Sequence, residues 1–407
     1  MRYPLISHAL IKASLTAMHA QENQRIGRFV VSTVAGETVR AYVPPALPPI
    51  PPVRLDSVQL LLEQANQALG RLDGLASFLP DLSLFIYAYI RKEALLSSQI
   101  EGTQSSLSDL LLFENEEVPG VPIEDVQDVS NYVAALSHGL KRIREGFPLS
   151  LRLVREIHEI LLWRGRGSNK EPGEFRRSQN WIGGTRPGNA AFVPPPPELV
   201  MECMGQLENF LHTESSDLPL LIRAALAHVQ FESIHPFLDG NGRLGRLLIT
   251  FLLCADGALS EPILYLSLYF KSNRQVYYDL LTSVRTSGNW EAWIEFFLTG
   301  VKETSGQAIV SARRLIALLD ADRKKIEALG RPAASVLRVF HYAQTHPILS
   351  IAPTAEKIES TFPTVAAAIE HLNRLDILHE ITGRQRHRLF AYRGYMDILN
   401  EGTEPLR

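Results

Sequence analysis

Along most of the chain apolar residues recur every three to four positions, the period of an α-helix, and strict alternation is confined to a few short stretches. Moderately amphipathic spacing predicts a helix over 5–26. Alternation over 27–43, broken at Gly36-Glu-Thr, predicts a small hairpin. Helices are expected over 55–72 and 81–99, the second apolar or small on nearly every face (Leu84, Phe85, Tyr87, Ile90, Ala94, Leu95) and therefore buried. Three more helices fall between 109 and 163, the clearest marked by Val126, Val129, Val133, Leu136 and Leu140, then by Leu153, Ile157, Ile160 and Leu161. The pattern continues through 198–212 and 219–233, and resumes at Leu244, Leu247, Leu248, Phe251 and Leu252 until Gly257 ends it. Over 264–281 helical spacing puts Asn273 and Tyr277 on one face, a turn apart. Residues 289–329 close the series, and the charged run Asp320 to Glu327 reads as a solvated connector.

The interruptions organise these helices. Pro44 to Pro52 holds six prolines in nine residues, which forces an extended segment: an SH3-type ligand or a stiff strap over the domain surface. Residues 173–184 and 191–197, rich in Gly, Pro and Asn, read as two short strands of a hairpin. Gly330-Arg-Pro332 marks a joint. Beyond it come a helix, a short helix at 354–359, a recognition-like helix from Thr364, and a strand pair turning at Gly383, along which Arg384, Arg386 and Arg388 alternate on one face.

Composition narrows the class. A chain of 407 residues, 45% hydrophobic and 21% charged, supports two or three globular domains. A net charge of −3 gives no general attraction to nucleic acid or anionic membrane, so such binding would need a local patch. Cys203 and Cys254 sit in apolar helical company and read as reduced core residues, offering no metal or disulfide framework. No apolar run reaches the roughly 18 residues of a membrane helix and Met1-Arg-Tyr-Pro opens no leader, so the expected location is cytoplasmic.

The candidate chemistry is concentrated in His235-Pro-Phe-Leu-Asp239-Gly-Asn241-Gly-Arg243-Leu-Gly-Arg246. Gly240 and Gly242 flank Asn241 where a helical pattern begins, so a tight turn delivers backbone N–H groups at a helix N-terminus, an anion cradle. Arg243 and Arg246 share a helix face and can hold successive phosphates of one polyphosphate. Asp239 lies beside the cradle, placed to hold Mg²⁺ against the same phosphates. His235, with an ordinary pKa of about 6.5, is the proton acceptor. A helix-capping loop with two surface arginines accounts for any three of these residues but not for the set. His228, Glu232 and His235 at i, i+4 and i+7 suggest a metal site only superficially, and His228, beside Phe231 and Leu221, is expected to be a hydrogen-bonded core histidine.

The stretch 235–246 resembles the signature of the Fic family of nucleotide transferases, His-Pro-Phe-x-[Asp/Glu]-Gly-Asn-Gly-Arg-x-x-Arg, with every defined position filled. Upstream, Ser97-Ser-Gln-Ile-Glu101-Gly102 is similar to the inhibitory motif [Ser/Thr]-x-x-x-Glu-[Gly/Asn] of one class of that family. An acid at a helix C-terminus faces the negative end of the dipole and wants a cationic partner. The resemblance supplies Arg246 as that partner, with Glu101 blocking the γ-phosphate seat. It further places Asn273 and Tyr277 next to the nucleobase, makes the 173–197 hairpin a flap that pairs with a target's extended backbone, and favours the strap reading of the proline segment. The tail from 331 resembles a winged helix-turn-helix domain, although nine Lys/Arg against eight Asp/Glu there favour protein docking or dimerisation over tight DNA binding.

The fold class implied is mainly α: an N-terminal helical extension over 1–108, a Fic-type helical core with a small β-hairpin flap over 109–300, a connector over 301–330 and a winged helix-like domain over 331–396. The activity implied is transfer of AMP from ATP, with Mg²⁺, to a Ser, Thr or Tyr hydroxyl of a protein, itself included, held off by Glu101. Three alternatives stand beside it: transfer of another nucleotide, AMP removal in which Glu101 aligns the attacking water, and a winged-helix DNA-binding regulator with a nucleotide-sensing core. A homodimer is compatible with all of them.

Overall fold

The computed structural model describes residues 25–34, 36–76, 82–114, 121–213 and 218–405, and the helix expected over 5–26 falls almost wholly outside them. The chain divides into two compact units, one of Met1–Gln67, Ala134–Ala258 and Asn273–Gly300, the other of Ala68–Val133, Leu259–Ser272 and Val301–Arg407. Among the described residues lie fifteen α-helices and two small antiparallel sheets.

The first unit opens on the expected hairpin, β1 (Arg28–Val34) paired with β2 (Glu37–Val43) in the register Arg28 to Val43 and Val34 to Glu37, turning at Gly36. Alternation buries Val39 and Ala41 against Val193. The helix α1 (Gln59–Ala76) runs on into the second unit, and α2 (Leu82–Ile100) and α3 (Leu107–Glu114) lie within that unit. Next, α4 (Ile123–Arg144) returns to the first unit, followed there by α5 (Leu151–Leu161), α6 (Pro197–His212), α7 (Leu220–Ile234) and α8 (Asn241–Ala255). Ser150 starts α5 as a side-chain N-cap, accepting the Leu153 N–H at 3.5 Å. Nearly all of α7 is buried, as befits a helix surrounded by others. Its close approach to α8 depends on Gly245, where a Cβ would fall 2.5 Å from Glu232 Oε1 and 3.2 Å from the Phe231 ring.

The stretch expected as one helix from 264 is two, α9 (Ser267–Ser272) and α10 (Arg274–Ser287), broken at Asn273. After α11 (Trp290–Glu327) the second unit continues with α12 (Ala333–Thr345), β3 (Ile348–Ser350), α13 (Ile351–Lys357), α14 (Phe362–Arg374), β4 (Leu378–Glu380), β5 (Leu389–Tyr392) and α15 (Arg393–Asn400). The sheet order is β3-β5-β4.

Two local expectations are corrected here. The 173–197 segment is not a pair of strands: a single bridge joins Ile182 and Phe192, and a 3₁₀ turn at Pro187–Asn189 fills the loop. Polar bonds take the place of a ladder, Glu37 accepting from Arg186 Nη1 and the Gly188 N–H, both at 2.8 Å. Arg384, Arg386 and Arg388 do not line a strand either, because β4 ends at Glu380 and β5 begins at Leu389; all three are exposed on the loop between. Glu380 folds its carboxylate back onto the N–H groups of Thr382 and Gly383, which ends the strand early. The proline segment lies as a strap, its Pro45 carbonyl accepting from buried Gln230 Nε2 at 2.7 Å. Its Leu47–Pro48 and Ile50–Pro51 bonds are cis. No helix among the described residues is long and apolar enough to cross a membrane.

Candidate active site

The turn between α7 and α8 gathers most of the candidate residues. His235 follows α7 in the left-handed conformation, φ 48° and ψ 61°, its N–H closing back on Phe231 O. Such a φ is costly for a residue with a Cβ and persists where surrounding bonds enforce it. The imidazole is half-buried, with its Nδ1 turned into the protein and the Glu232 backbone carbonyl against the ring. Burial pushes the ring's pKa down to about 3, with the Arg285 and Arg176 guanidiniums pushing the same way. The ring is therefore neutral at ordinary pH, the form a proton acceptor needs.

Gly240 caps α8 with φ 74°, and the first intrahelical bond of the turn runs from Leu244 N–H to Gly240 O at 3.0 Å. The N–H groups of Asn241, Gly242 and Arg243 precede it, so they have no carbonyl one turn back within the helix. The Asn241 side chain is engaged within the loop. Its Oδ1 accepts the Phe237 N–H at 2.9 Å and its Nδ2 donates to Phe237 O at 2.8 Å, so the amide braces the loop and only its backbone is left to face an anion. Arg243 and Arg246 are 3% and 2% exposed, two guanidiniums sunk in one helix turn.

Asp239 Oδ1 accepts the Gly240 N–H at 2.6 Å and lies 3.9 Å from Arg243 Nη2. Its Oδ2 faces Gly167, where a Cβ would come within 2.7 Å, so glycine leaves space beside that oxygen. No group of three or more His, Cys, Asp or Glu that could hold a metal occurs among the described residues. One carboxylate with room beside it is nonetheless what Mg²⁺ takes from a protein when substrate phosphates complete its shell. The residues fit that role.

Several residues here carry no periodic signal. His158 of α5 accepts the Gly173 N–H on Nδ1 at 2.8 Å, so its Nε2 carries the proton and donates to Asp239 O at 3.0 Å. Its ring stacks on Phe237 at 3.7 Å, and burial pushes its pKa down to about 4. Asn180 Nδ2 donates to Phe237 O at 2.9 Å, while Arg176 and Arg285 bond the end of α7. The run Gly173-Glu-Phe-Arg-Arg was visible in sequence, but nothing there distinguishes buried Arg176 from exposed Arg177.

His228 is a bonded core histidine, as expected. Its Nδ1 donates to Gly245 O at 3.0 Å, its Nε2 accepts from Tyr277 Oη at 2.8 Å, and its ring stacks on Trp293. Tyr277 is thereby corrected as a nucleobase contact: it is 1% exposed and its hydroxyl is engaged, and of the neighbouring tyrosines it is Tyr278 that keeps solvent access. Asn273, half-buried, is the N-cap of α10, one turn before Tyr277. Glu101 belongs to the second unit and is exposed on the turn after α2, where Gly102 takes φ 100°.

Burial pushes His228 down to about 3, as it does His235. With His158 at about 4, three histidines are neutral when folded yet titrate near 6.5 when unfolded. The unfolded chain then binds more protons, so the stability these groups confer is complete above pH 6.5 and is lost as pH falls towards 4. The loss approaches about 1.4 kcal/mol per pH unit for each histidine. Urea midpoints should drop steadily from pH 7 to 5, and His228→Gln should flatten that slope; a midpoint constant over this range would contradict the burial.

Two family models match the chain, the Fic/DOC family N-terminal model over residues 59–141 and the Fic/DOC family model over 148–253, the second containing the whole 235–246 turn. Curated relatives include the protein adenylyltransferase Fic of Culex quinquefasciatus, 32% identical over 209 residues, and that of Aedes aegypti, 31% identical over 209 residues. Each alignment takes in 50% of this chain and 39% of the relative, so the chain spans about two fifths of the length of the curated relatives it matches. Among solved structures, a Fic family protein from Desulfovibrio desulfuricans G20 matches with a TM-score of 0.54 at 19% identity, over 84% of this chain and 97% of that one. That likeness bears on the fold, which is the mainly helical, Fic-type class expected from the sequence.

Proposed function

We propose that this chain, with Fic/DOC family domains at 59–141 and 148–253, is a protein adenylyltransferase that moves AMP from ATP onto a Ser, Thr or Tyr hydroxyl of a protein. One observation carries the reading: a neutral imidazole stands immediately before a glycine-capped helix N-terminus whose first turns hold two buried arginines. Polyphosphate oxygens suit the N–H groups of 241–243 and the two guanidiniums, and a proton acceptor suits the attacking hydroxyl. His235 takes the hydroxyl proton as oxygen bonds to the α-phosphorus, and the bond to the departing diphosphate breaks as Arg243 and Arg246 hold its charge. A ring at about 3 is a weak base, but bound phosphates bring negative charge near it and raise its affinity for the proton. Asp239 would hold the divalent cation, Mg²⁺ by its oxygen-donor chemistry, which neutralises phosphate charge and fixes phosphate geometry when bound. Asn273 would read the adenine edge. The Fic-type core is assigned to 109–300, preceded by an extension over 1–108 that carries the inhibitory Glu101.

The residues from 331 to 396, after a connector over 301–330, read as a winged helix-like module, supported by the order α12, β3, α13, α14, β4, β5 and the three-stranded sheet. Its near-balanced charge favours docking of a protein or a second copy over DNA. The test of the whole reading is intact-mass measurement after incubation with ATP and Mg²⁺, for the wild type and for Glu101→Gly. An AMP adduct on itself or on a lysate protein is expected. Absence of any nucleotide adduct from both proteins overturns the reading, and loss of AMP removal in Glu101→Gly turns it into the reverse reaction.

A further inference from the structure

We infer that Arg176 is a positioning residue that locks the loop bearing His235 to the segment at 173–195, so that the base is in place only while that segment is seated. The inference rests on the transferase reading for its functional sense and on hydrogen bonds for its substance. A helix leaves its last four carbonyls without intrahelical partners. At the end of α7, Phe231 O takes the His235 N–H, and arginine side chains take the carbonyls of Glu232 and Ile234. Arg285 Nη2 donates to Glu232 O at 3.2 Å and its Nε to Ser233 Oγ at 3.1 Å. Arg176 Nη2 reaches Ile234 O at 3.4 Å, and its Nε donates to His235 O at 2.9 Å.

The same guanidinium binds the other side. Arg176 Nη2 donates to Pro195 O at 2.5 Å and Nη1 to Ser178 O at 3.4 Å, while the Arg176 backbone N–H donates to Pro236 O at 2.9 Å. Asn180 and Asn241 add two bonds to Phe237 O. The carbonyls of 234, 235, 236 and 237 are therefore all held, each of them by a residue of the 173–180 run. This explains how His235 keeps a left-handed backbone that an L-residue adopts at a cost of order 1–3 kcal/mol. It also explains how an arginine can be only 2% exposed: its charge faces the negative end of the α7 dipole and the loop carbonyls.

Only a planar fork can serve Pro195 and His235 at once; a lysine ammonium keeps the charge but lacks the spread. Arg176→Lys should therefore lower kcat for AMP transfer about 100-fold, the scale expected for an ångström of misplacement, while ATP affinity and thermal midpoint stay close to wild type. Arg177→Lys, an exposed neighbour, should change nothing. The backbone ¹³C shifts of His235 supply a readout independent of activity: they should report the left-handed conformation in the wild type and move towards ordinary values in Arg176→Lys. Unchanged His235 shifts and unchanged kcat overturn the inference, and so does a kcat loss matched by equal losses of ATP affinity and thermal midpoint, which would make Arg176 a general structural residue. If neither the wild type nor Glu101→Gly transfers nucleotide, the transferase reading fails by itself, and the shifts still decide whether Arg176 holds the loop.

Discussion

His235→Ala should abolish AMP transfer, with kcat down by roughly 10²–10⁴ as for loss of a general base, while ATP binding by isothermal calorimetry stays within about twofold of wild type. The separation follows from where the groups sit. The imidazole precedes the cradle and belongs to the α7 exit, while the phosphate-facing N–H groups and both arginines belong to α8. Alanine leaves those in place and removes only the acceptor for the target's proton. A variant that loses ATP binding together with activity would assign His235 to loop structure instead. A variant that keeps transfer would require another base, and neither His158 nor His228 is available, since both ring nitrogens of each are bonded within the fold.

What the sequence made legible was what local chemistry decides. Helices such as α5, α7 and α11 appear within a residue or two of their expected limits, because a sustained apolar period and the breaks at either end define them locally. The 235–246 turn was equally readable, since its glycines and charged residues have few purposes in common other than an anion. Harder were the pieces whose conformation is set by distant partners. The 173–197 segment has the Gly, Pro and Asn content of a hairpin, yet it is organised by Arg176, Gln179 and Asn180 reaching carbonyls at 195, 194 and 237. β3 and α15 are three and eight residues long, too short to show a period. Tyr277 had the right spacing from Asn273 for a base-binding face, but His228, 49 residues away in sequence, claims its hydroxyl. Spacing along one helix cannot report which side another helix will cover.

Glu101→Gly should raise self-modification and target modification by about 100-fold, and the gain should vanish when Arg246→Ala is added. The proposed inhibition is a competition for one guanidinium. Arg246 is 2% exposed, and under this proposal a carboxylate and a γ-phosphate would compete for its single guanidinium. Were Glu101 to engage that guanidinium, ATP would bind weakly or with its α-phosphate out of line, and an error of about 1 Å in a reacting atom costs on the order of 10²-fold in rate. Glycine at 101 removes the competitor and adds nothing to the chemistry, so the whole increase passes through Arg246. In the double variant the seat is vacant of charge, the phosphate is no longer drawn into line, and activity returns to the level of Arg246→Ala alone. Because Glu101 lies on the exposed turn that ends α2, any partner that displaces that turn would release the enzyme in the same way, by biasing an existing equilibrium. Steady-state adenylylation rates and ATP affinities of the four proteins in the cycle decide the matter: independent effects of the two substitutions would separate Glu101 from Arg246, and an inert Glu101→Gly would remove the glutamate from regulation altogether.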